Sequence, residues 1–283
     1  MLARAWWFES TQPHIKTNAS NARVAHKRGS RGPAGPAPRT LASHASAASA
    51  DQRGRLTDWT AAERRALARF RTPGAVQAFL DSLPYNIERE GETFRSPRRV
   101  LRDQTANCIE GAVFAAAALR AHGRPPLIMD LTAVHDEDHV IAPFRERGLW
   151  GAVGTSKFTG LRYREPVYRG LRELVMSYFE HYFNLDGERT LRGYGRPVNL
   201  ARFDHLGWMM AEGDLWAIAQ HLESIPHVTI LPGGRGPRLT PVDERSMRAG
   251  VLDHPGVHPR LDPQARPGLA ADVHSPRLQI REY

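Results

Sequence analysis

The segment from Cys108 to Gly123 constrains the fold more than any other part of the chain. Its sequence, CIEGAVFAAAALRAHG, carries small or apolar side chains around most of a helical surface. A helix with so broad an apolar surface must be buried against other elements. Cys108 falls in the first turn, and Gly123 is placed as a C-terminal cap. The pattern therefore predicts a deeply buried helix with a thiol at its N-terminus.

Three short apolar runs follow Pro125 and Pro126, and each has the length of a strand. They are LIMDL (127–131), HVIAPF (139–144) and LWGAV (149–153). The polar stretch 145–148 ends in glycine and suits a four-residue hairpin, so the last two runs are expected to pair antiparallel. Together with the helix they indicate an α+β fold.

Further helical and strand signals flank this centre. The helical signals are a capping box at Thr60 and Glu63, a helix at 73–83 that begins with proline, a helical spacing from Val167 to Tyr182 and a helix capped by Asp214. The run 227–231 is predicted to be the last strand of the domain. We expect one domain over residues 56–231, in which the cysteine-bearing helix packs on a small antiparallel sheet with additional peripheral helices.

Composition separates this domain from its two tails. Residues 1–50 hold seven basic side chains against one acid, which gives +6 of the formal net charge of +9. The tails 1–55 and 232–283 are rich in Pro or small residues and are expected to be disordered. Arginine outnumbers lysine 36 to 3, a bias that resembles codon usage, so the charge argues little for nucleic acid.

The same composition bears on location. No apolar run has the roughly 18 residues that a membrane-spanning helix requires, and the start of the chain lacks the apolar segment of a secretory signal. A single cysteine cannot form an internal disulfide. We therefore expect a soluble protein in the reducing cytoplasm.

The predicted topology brings chemically useful residues together. Tracing the chain by helix rise and strand rise returns it to the N-terminus of the cysteine helix twice. The first return delivers His139, and the second delivers Gly154 to Ser156. The helix dipole and the unpaired amides of the first turn favour a thiolate at Cys108, and His139 is positioned to accept its proton.

At these residues the sequence resembles the transglutaminase-like family. The resemblance rests on Asn107-Cys108 opening an alanine-rich helix, the PP-LIMDL strand, DHVIAPF with its leading histidine, and GLWGAVG. It implies a papain-like cysteine-hydrolase fold and chemistry on carboxamides or peptide bonds through a thioester. Some members of that family are catalytically inert.

The resemblance transfers Cys108 and His139 but not the third member of a triad. Where the family carries an Asp after the strand tryptophan, Trp150 is followed by Gly154, Thr155 and Ser156. The remaining candidates to orient the imidazole are Asp130, Asp138 and, more weakly, Ser156 or Thr155. The candidates at the oxyanion or substrate side are Gln104, Asn107 and Trp150.

Two functions from different classes follow. The first is a cysteine hydrolase or acyltransferase with a peptide or amide substrate; the second is a catalytically inactive module that binds a partner protein. The run His135 to His139 offers metal-ligand types, but five consecutive residues cannot all face one ion, so we read it as a solvated acidic loop. We expect no metal and no cofactor. Nucleic-acid binding by the basic arm could coexist with either function, and the sequence does not specify an oligomeric state.

Overall fold

The computed structural model describes residues 59–231 and 238–252. The predicted tail 1–55 and residues 253–283 lie outside the described residues. The helices are α1 (Ala61–Leu67), α2 (Pro73–Asp81), α3 (Pro97–Asp103), α4 (Cys108–Ala121), α5 (Leu171–Phe179), α6 (Trp216–Ser224) and α7 (Glu244–Gly250), with 3₁₀ segments at Thr159–Leu161 and Leu200–Leu206. The strands are β1 (Leu127–Ala133), β2 (His139–Glu146), β3 (Leu149–Val153), β4 (Arg164–Tyr168), β5 (Leu191–Gly195), β6 (Val198–Asn199) and β7 (His227–Thr229).

The strands form one antiparallel sheet in the order β4-β3-β2-β1-β5-β7, and β6 pairs with the start of β1. The predicted α+β class is therefore confirmed. The β2–β3 hairpin is tighter than predicted, because pairing continues to Glu146 and Leu149. Only Arg147 and Gly148 remain in the turn, with φ of 48° and 87°. Positive φ at both positions is typical of a two-residue hairpin whose twist matches that of the strands.

Helix α4 begins at Cys108 as the sequence predicts. Asn107 is its N-cap and forms a capping box with Glu110, and Gly123 follows the C-cap with a φ of +79°. Residues 110–120 are all buried. The helix packs across β2, so the alanine-rich surface allows close approach of helix and sheet.

The sheet separates two apolar clusters. Val140, Ala142 and Phe144 of β2 lie in the cluster that contains α4. Ile141, between them, lies in the cluster that contains α5. This alternation fixes which side chains of each strand face Cys108 and which face away.

Two boundaries differ from the sequence prediction. Val167 belongs to β4, so α5 begins only at Leu171. Asp214 does not cap α6; its carboxylate accepts hydrogen bonds from the Phe94 N–H and the Arg99 guanidinium. In each case a contact with a distant element replaces the local signal.

The C-terminal tail also differs from the expected disorder. Asp243 caps helix α7 by accepting hydrogen bonds from two backbone N–H groups. Met247 and Val251 are buried against Phe183. The predicted boundary at residue 231 therefore leaves out a short docked helix.

The fold also allows a test of the close helix-to-sheet packing at Gly111. A Cβ there would lie 2.4 Å from Oγ1 and 2.8 Å from Cβ of Thr155, whereas a Cβ at Gly74 would meet no atom within 4 Å. We expect Gly111→Ala to lower the free energy of unfolding by roughly 1–3 kcal/mol despite the better helix propensity of alanine. Gly74→Ala should leave it unchanged or raise it by up to about 1 kcal/mol. Urea denaturation of both variants would contradict this packing if Gly111→Ala were as stable as Gly74→Ala.

Candidate functional site

Cys108 is the first residue of α4, and two groups contact it. The Cys108 N–H donates to the Tyr85 hydroxyl at 3.3 Å. The same hydroxyl hydrogen-bonds the Cys108 side chain, and the Val140 N–H donates to the sulfur. The thiol is therefore held between a phenol and the backbone of β2.

The electrostatics of this thiol oppose the sequence-based expectation. Burial raises the pKa of Cys108 to about 11, and the negative charge of Glu137 adds to the rise. Hydrogen bonds from Val140 and Tyr85 act in the opposite direction but do not outweigh burial. The N-terminal position on α4 was expected to lower the pKa. Loss of hydration at the half-buried Cys108 prevails, and the resting group is a neutral thiol.

His139 is the first residue of β2, and it is buried. Its ring Nε2–H donates to the Leu161 carbonyl oxygen at 2.9 Å. That acceptor requires the proton on Nε2, which leaves Nδ1 as the basic nitrogen of the neutral ring. Burial lowers the pKa of His139 to about 4, and the nearby charge of Arg164 lowers it further. The ring is therefore neutral at pH 7, and its Nδ1 is a weaker base than a free imidazole.

Cys108 contacts the backbone of β2 one residue from His139. The sulfur accepts from Val140, the residue next to His139. Strand alternation places the His139 ring with Ile141 on the α5 side of the sheet, where the Tyr182 ring lies 6.4 Å away. The hydrogen bonds of the described chain include none between the Cys108 sulfur and the imidazole.

The end of β3 reaches the same place, as the sequence predicts. A Cβ at Gly154 would lie 3.6 Å from Nε2 of His139. The side-chain amide of Gln77 clamps this segment, because it accepts from the Gly154 N–H at 3.0 Å and donates to the Gly154 carbonyl at 2.9 Å. Gln77 lies on α2, and nothing in its sequence context singled it out.

The predicted third members of the triad are engaged elsewhere. Asp130 accepts from His227 at 2.9 Å, and this hydrogen bond raises the pKa of His227. Asp138 accepts from the Ala133 N–H at 2.7 Å. Ser156 accepts from the Phe158 N–H at 3.0 Å. A backbone carbonyl, not a carboxylate or hydroxyl, therefore orients His139.

Asp138 is unusual among these groups. Burial and the nearby charge of Asp130 raise its pKa to about 7. The carboxyl group is thus close to half-protonated at neutral pH while it accepts a hydrogen bond from the backbone of β1. Its role in the structure is to close the loop 134–138 rather than to reach the imidazole.

The oxyanion and substrate candidates also have partners other than the sulfur. Gln104 caps α3 in the left-handed region, and its amide donates to Leu101 O at 2.7 Å. The Asn107 amide donates to Glu88 at 2.9 Å. Trp150 pairs with Arg145, six residues along β2 from His139, which is about 20 Å at strand rise. The donor that does lie beside Cys108 is the Tyr85 hydroxyl, which the sequence did not identify.

A pocket of about 260 Å³ is lined in part by Tyr85. Asp81 and Arg162 approach to 3.7 Å across it. Its lining residues are Leu80, Asp81, Leu83, Pro84, Tyr85, Thr155, Ser156 and Arg162. Tyr85 thus connects a concave, partly polar pocket to the thiol.

The side chains of the acidic loop His135 to His139 form hydrogen bonds with different partners. His135 contacts Glu188 at 3.1 Å, and Asp136 accepts from Thr190 at 2.6 Å. Within residues 59–231 and 238–252 no group of three or more His, Cys, Asp or Glu side chains is arranged to hold a metal ion. No helix in the same ranges combines the length and the apolar character needed to cross a membrane.

Comparisons with known proteins add no family assignment. No protein-family model matches the chain. A search of curated proteins finds no significant match.

Proposed function

We propose that the chain is a cysteine hydrolase or acyltransferase of the transglutaminase-like type, acting on amide or peptide bonds through Cys108 and His139. The observation that carries the proposal is the placement of the thiol at the N-terminus of α4, hydrogen-bonded by the N–H of the residue that follows His139. The Leu161 carbonyl fixes the proton of His139 on Nε2, which leaves Nδ1 to act as base. The single thiol suits a reducing, cytoplasmic compartment.

The chemistry starts from a neutral pair. As the sulfur attacks the substrate carbonyl carbon, the S–C bond forms, the carbonyl electron pair moves to oxygen, and Nδ1 of His139 takes the thiol proton. The tetrahedral species collapses, the C–N bond breaks, and the amine leaves with the proton from Nδ1. The resulting thioester is resolved by water or by an acceptor amine, with His139 again serving as base.

Two groups support these steps. The Leu161 carbonyl accepts from Nε2–H throughout and stabilises the imidazolium, which is the part that a carboxylate plays in a complete triad. The Tyr85 hydroxyl lies against both the nitrogen and the sulfur of Cys108, where it can donate to the developing oxyanion. The imidazole must approach the sulfur when substrate binds, as catalytic hydrogen bonds often form only in the substrate complex.

A second candidate is the inactive binding module. The raised pKa of Cys108 and the backbone carbonyl that holds His139 in place of a carboxylate favour it. In that case the α4–sheet core would be retained for its shape, and a protein partner would replace the amide substrate.

Acylation by p-nitrophenyl acetate separates the two candidates. We expect one equivalent of p-nitrophenolate to be released rapidly and the acetyl group to map to Cys108 by mass spectrometry. His139→Gln should slow acylation at neutral pH by at least about 100-fold, the usual contribution of a general base. His135→Gln, on the adjacent exposed loop, should leave the rate unchanged. Equal rates for the wild type and His139→Gln would favour the binding module.

A further inference from the structure

A second pocket, of about 880 Å³, lies between β6, the following 3₁₀ segment, α6 and β7. Cys108, His139 and Tyr85 are not among its lining residues. Any ligand of this pocket is therefore inferred from its own lining residues, independently of the proposed function.

Its lining is basic. Arg196, Arg202, His221 and His227 line it, and none of the eleven lining residues is an Asp or a Glu, although His227 pairs with Asp130. In the described part of the chain neither arginine forms an ion pair with a carboxylate. Other arginines do, as Arg120 does with Asp204.

The side chain next to Arg202 is itself a base. A guanidinium N–H of Arg202 donates to Nε2 of His221 at 2.9 Å, so the imidazole accepts as a neutral ring. A cation is thus held beside a group that cannot neutralise it. An anion placed against Arg202 would supply the missing charge.

Further donors and an apolar wall complete the pocket. Asn199 uses its side-chain oxygen to accept from the Ala201 N–H at 2.9 Å, and its NH₂ group remains available as a donor. Val198, Ile225 and Val228 add apolar surface, and Val228 is 40% exposed. A ligand that satisfies both features has an anionic head and an apolar body.

We infer that this pocket binds a small organic anion, with a phosphate or carboxylate head held by Arg196 and Arg202 and an apolar body against Ile225 and Val228. A concave pocket with an apolar wall favours such a compact ligand over an extended polyanion, whose phosphates would leave that wall uncovered.

Isothermal titration of the full chain with phenyl phosphate tests the inference. We expect one site that binds phenyl phosphate roughly tenfold more tightly than inorganic phosphate, because only the former covers the apolar wall. R202Q and R196Q should each weaken binding by about fivefold or more through loss of a charge-assisted hydrogen bond. R65Q, an exposed arginine on α1, is the matched control and should leave affinity unchanged. Phenylacetate, titrated in parallel, tells whether the head group is a phosphate or a carboxylate, and sensitivity of either to R202Q supports the site.

Three results would overturn the inference. One is no binding of either anion up to about 10 mM, and another is binding that R196Q and R202Q leave intact. The third is binding of a short single-stranded oligonucleotide, lost in R202Q, by a protein that ignores phenyl phosphate. Because both arginines are exposed, the melting temperatures of the variants should match that of the wild type, so a change in affinity reports on the pocket.

Discussion

Alkylation of Cys108 by iodoacetamide is expected to accelerate about a thousandfold between pH 7 and pH 10. The thiolate is the reacting species, and burial raises the pKa of Cys108 to about 11, so the thiolate fraction grows about tenfold per pH unit over this range. A free cysteine, with a pKa near 8.5, would gain only about 30-fold and then level off. The measurement is the second-order rate constant of labelling by mass spectrometry, with urea-unfolded protein as the free-thiol reference.

A variant that removes one negative charge tests the cause of the raised pKa of Cys108. Glu137 contributes to the raised pKa through its negative charge, so Glu137→Gln should move the profile toward lower pH. Glu223→Gln removes an exposed acid from α6 and should not move it. A rate that stays flat from pH 6 to pH 10 would mean that the thiolate is already formed. The helix dipole would then outweigh burial, as the sequence suggested.

The outcome also constrains mechanism. A neutral thiol beside a neutral imidazole differs from the ion pair that many cysteine hydrolases hold at rest. Proton transfer must then accompany attack on the substrate. Acylation would depend more strongly on His139 than simple alkylation does, and the comparison of the two reagents separates catalysis from thiol ionisation.

The centre of the fold could be predicted from the sequence because its signals are local and strong. The alanine-rich run after Cys108, the Pro125-Pro126 break and three apolar runs fix α4 and β1 to β3 almost to the residue. The return of the chain to the cysteine end follows from element lengths alone. That is why Gly154 and His139 are adjacent as expected.

The glycine-rich part of the sheet could not be predicted in this way. Strand β5 reads LRGYG, which lacks the β-branched residues typical of a strand. Its glycines are required by tertiary contacts: a Cβ at Gly193 would lie 2.7 Å from Oγ1 of Thr132. Close approach of neighbouring groups, rather than local propensity, makes this segment a strand.

The groups that hold the candidate site in place could not be predicted from the sequence either. The Leu161 carbonyl is a backbone group, which any residue at that position would supply, so no sequence signal marks it. Tyr85 lies 23 residues before Cys108 and reaches it only because the chain pairs at Tyr85 and Ala106. The sequence identified the candidate pair, Cys108 and His139, and missed the groups that hold it.

Replacing Glu110 with Ala is expected to destabilise the protein by roughly 3–5 kcal/mol, the range for breaking a buried ion pair. Glu110 is completely buried in the first turn of α4. Its carboxylate accepts from the Asn107 N–H at 2.9 Å, which closes the capping box. It also accepts from the Thr93 hydroxyl at 2.8 Å and from the Arg95 N–H at 3.0 Å, and it pairs with the Arg95 guanidinium at 3.2 Å.

The size of the effect follows from what the variant leaves behind. Without the carboxylate, the Arg95 guanidinium keeps only its ion pair with Asp103 at 3.3 Å in a largely buried position, and the Asn107 N–H loses its acceptor. Glu63 offers a matched control, because it closes the same kind of capping box with Thr60 on α1, where both hydrogen bonds are exposed. Glu63→Ala should cost only about 1–2 kcal/mol, although it also removes an ion pair with Arg98. Urea denaturation followed by tryptophan fluorescence measures both variants, and equal losses would mean that the buried network around Glu110 contributes no more than an ordinary helix cap.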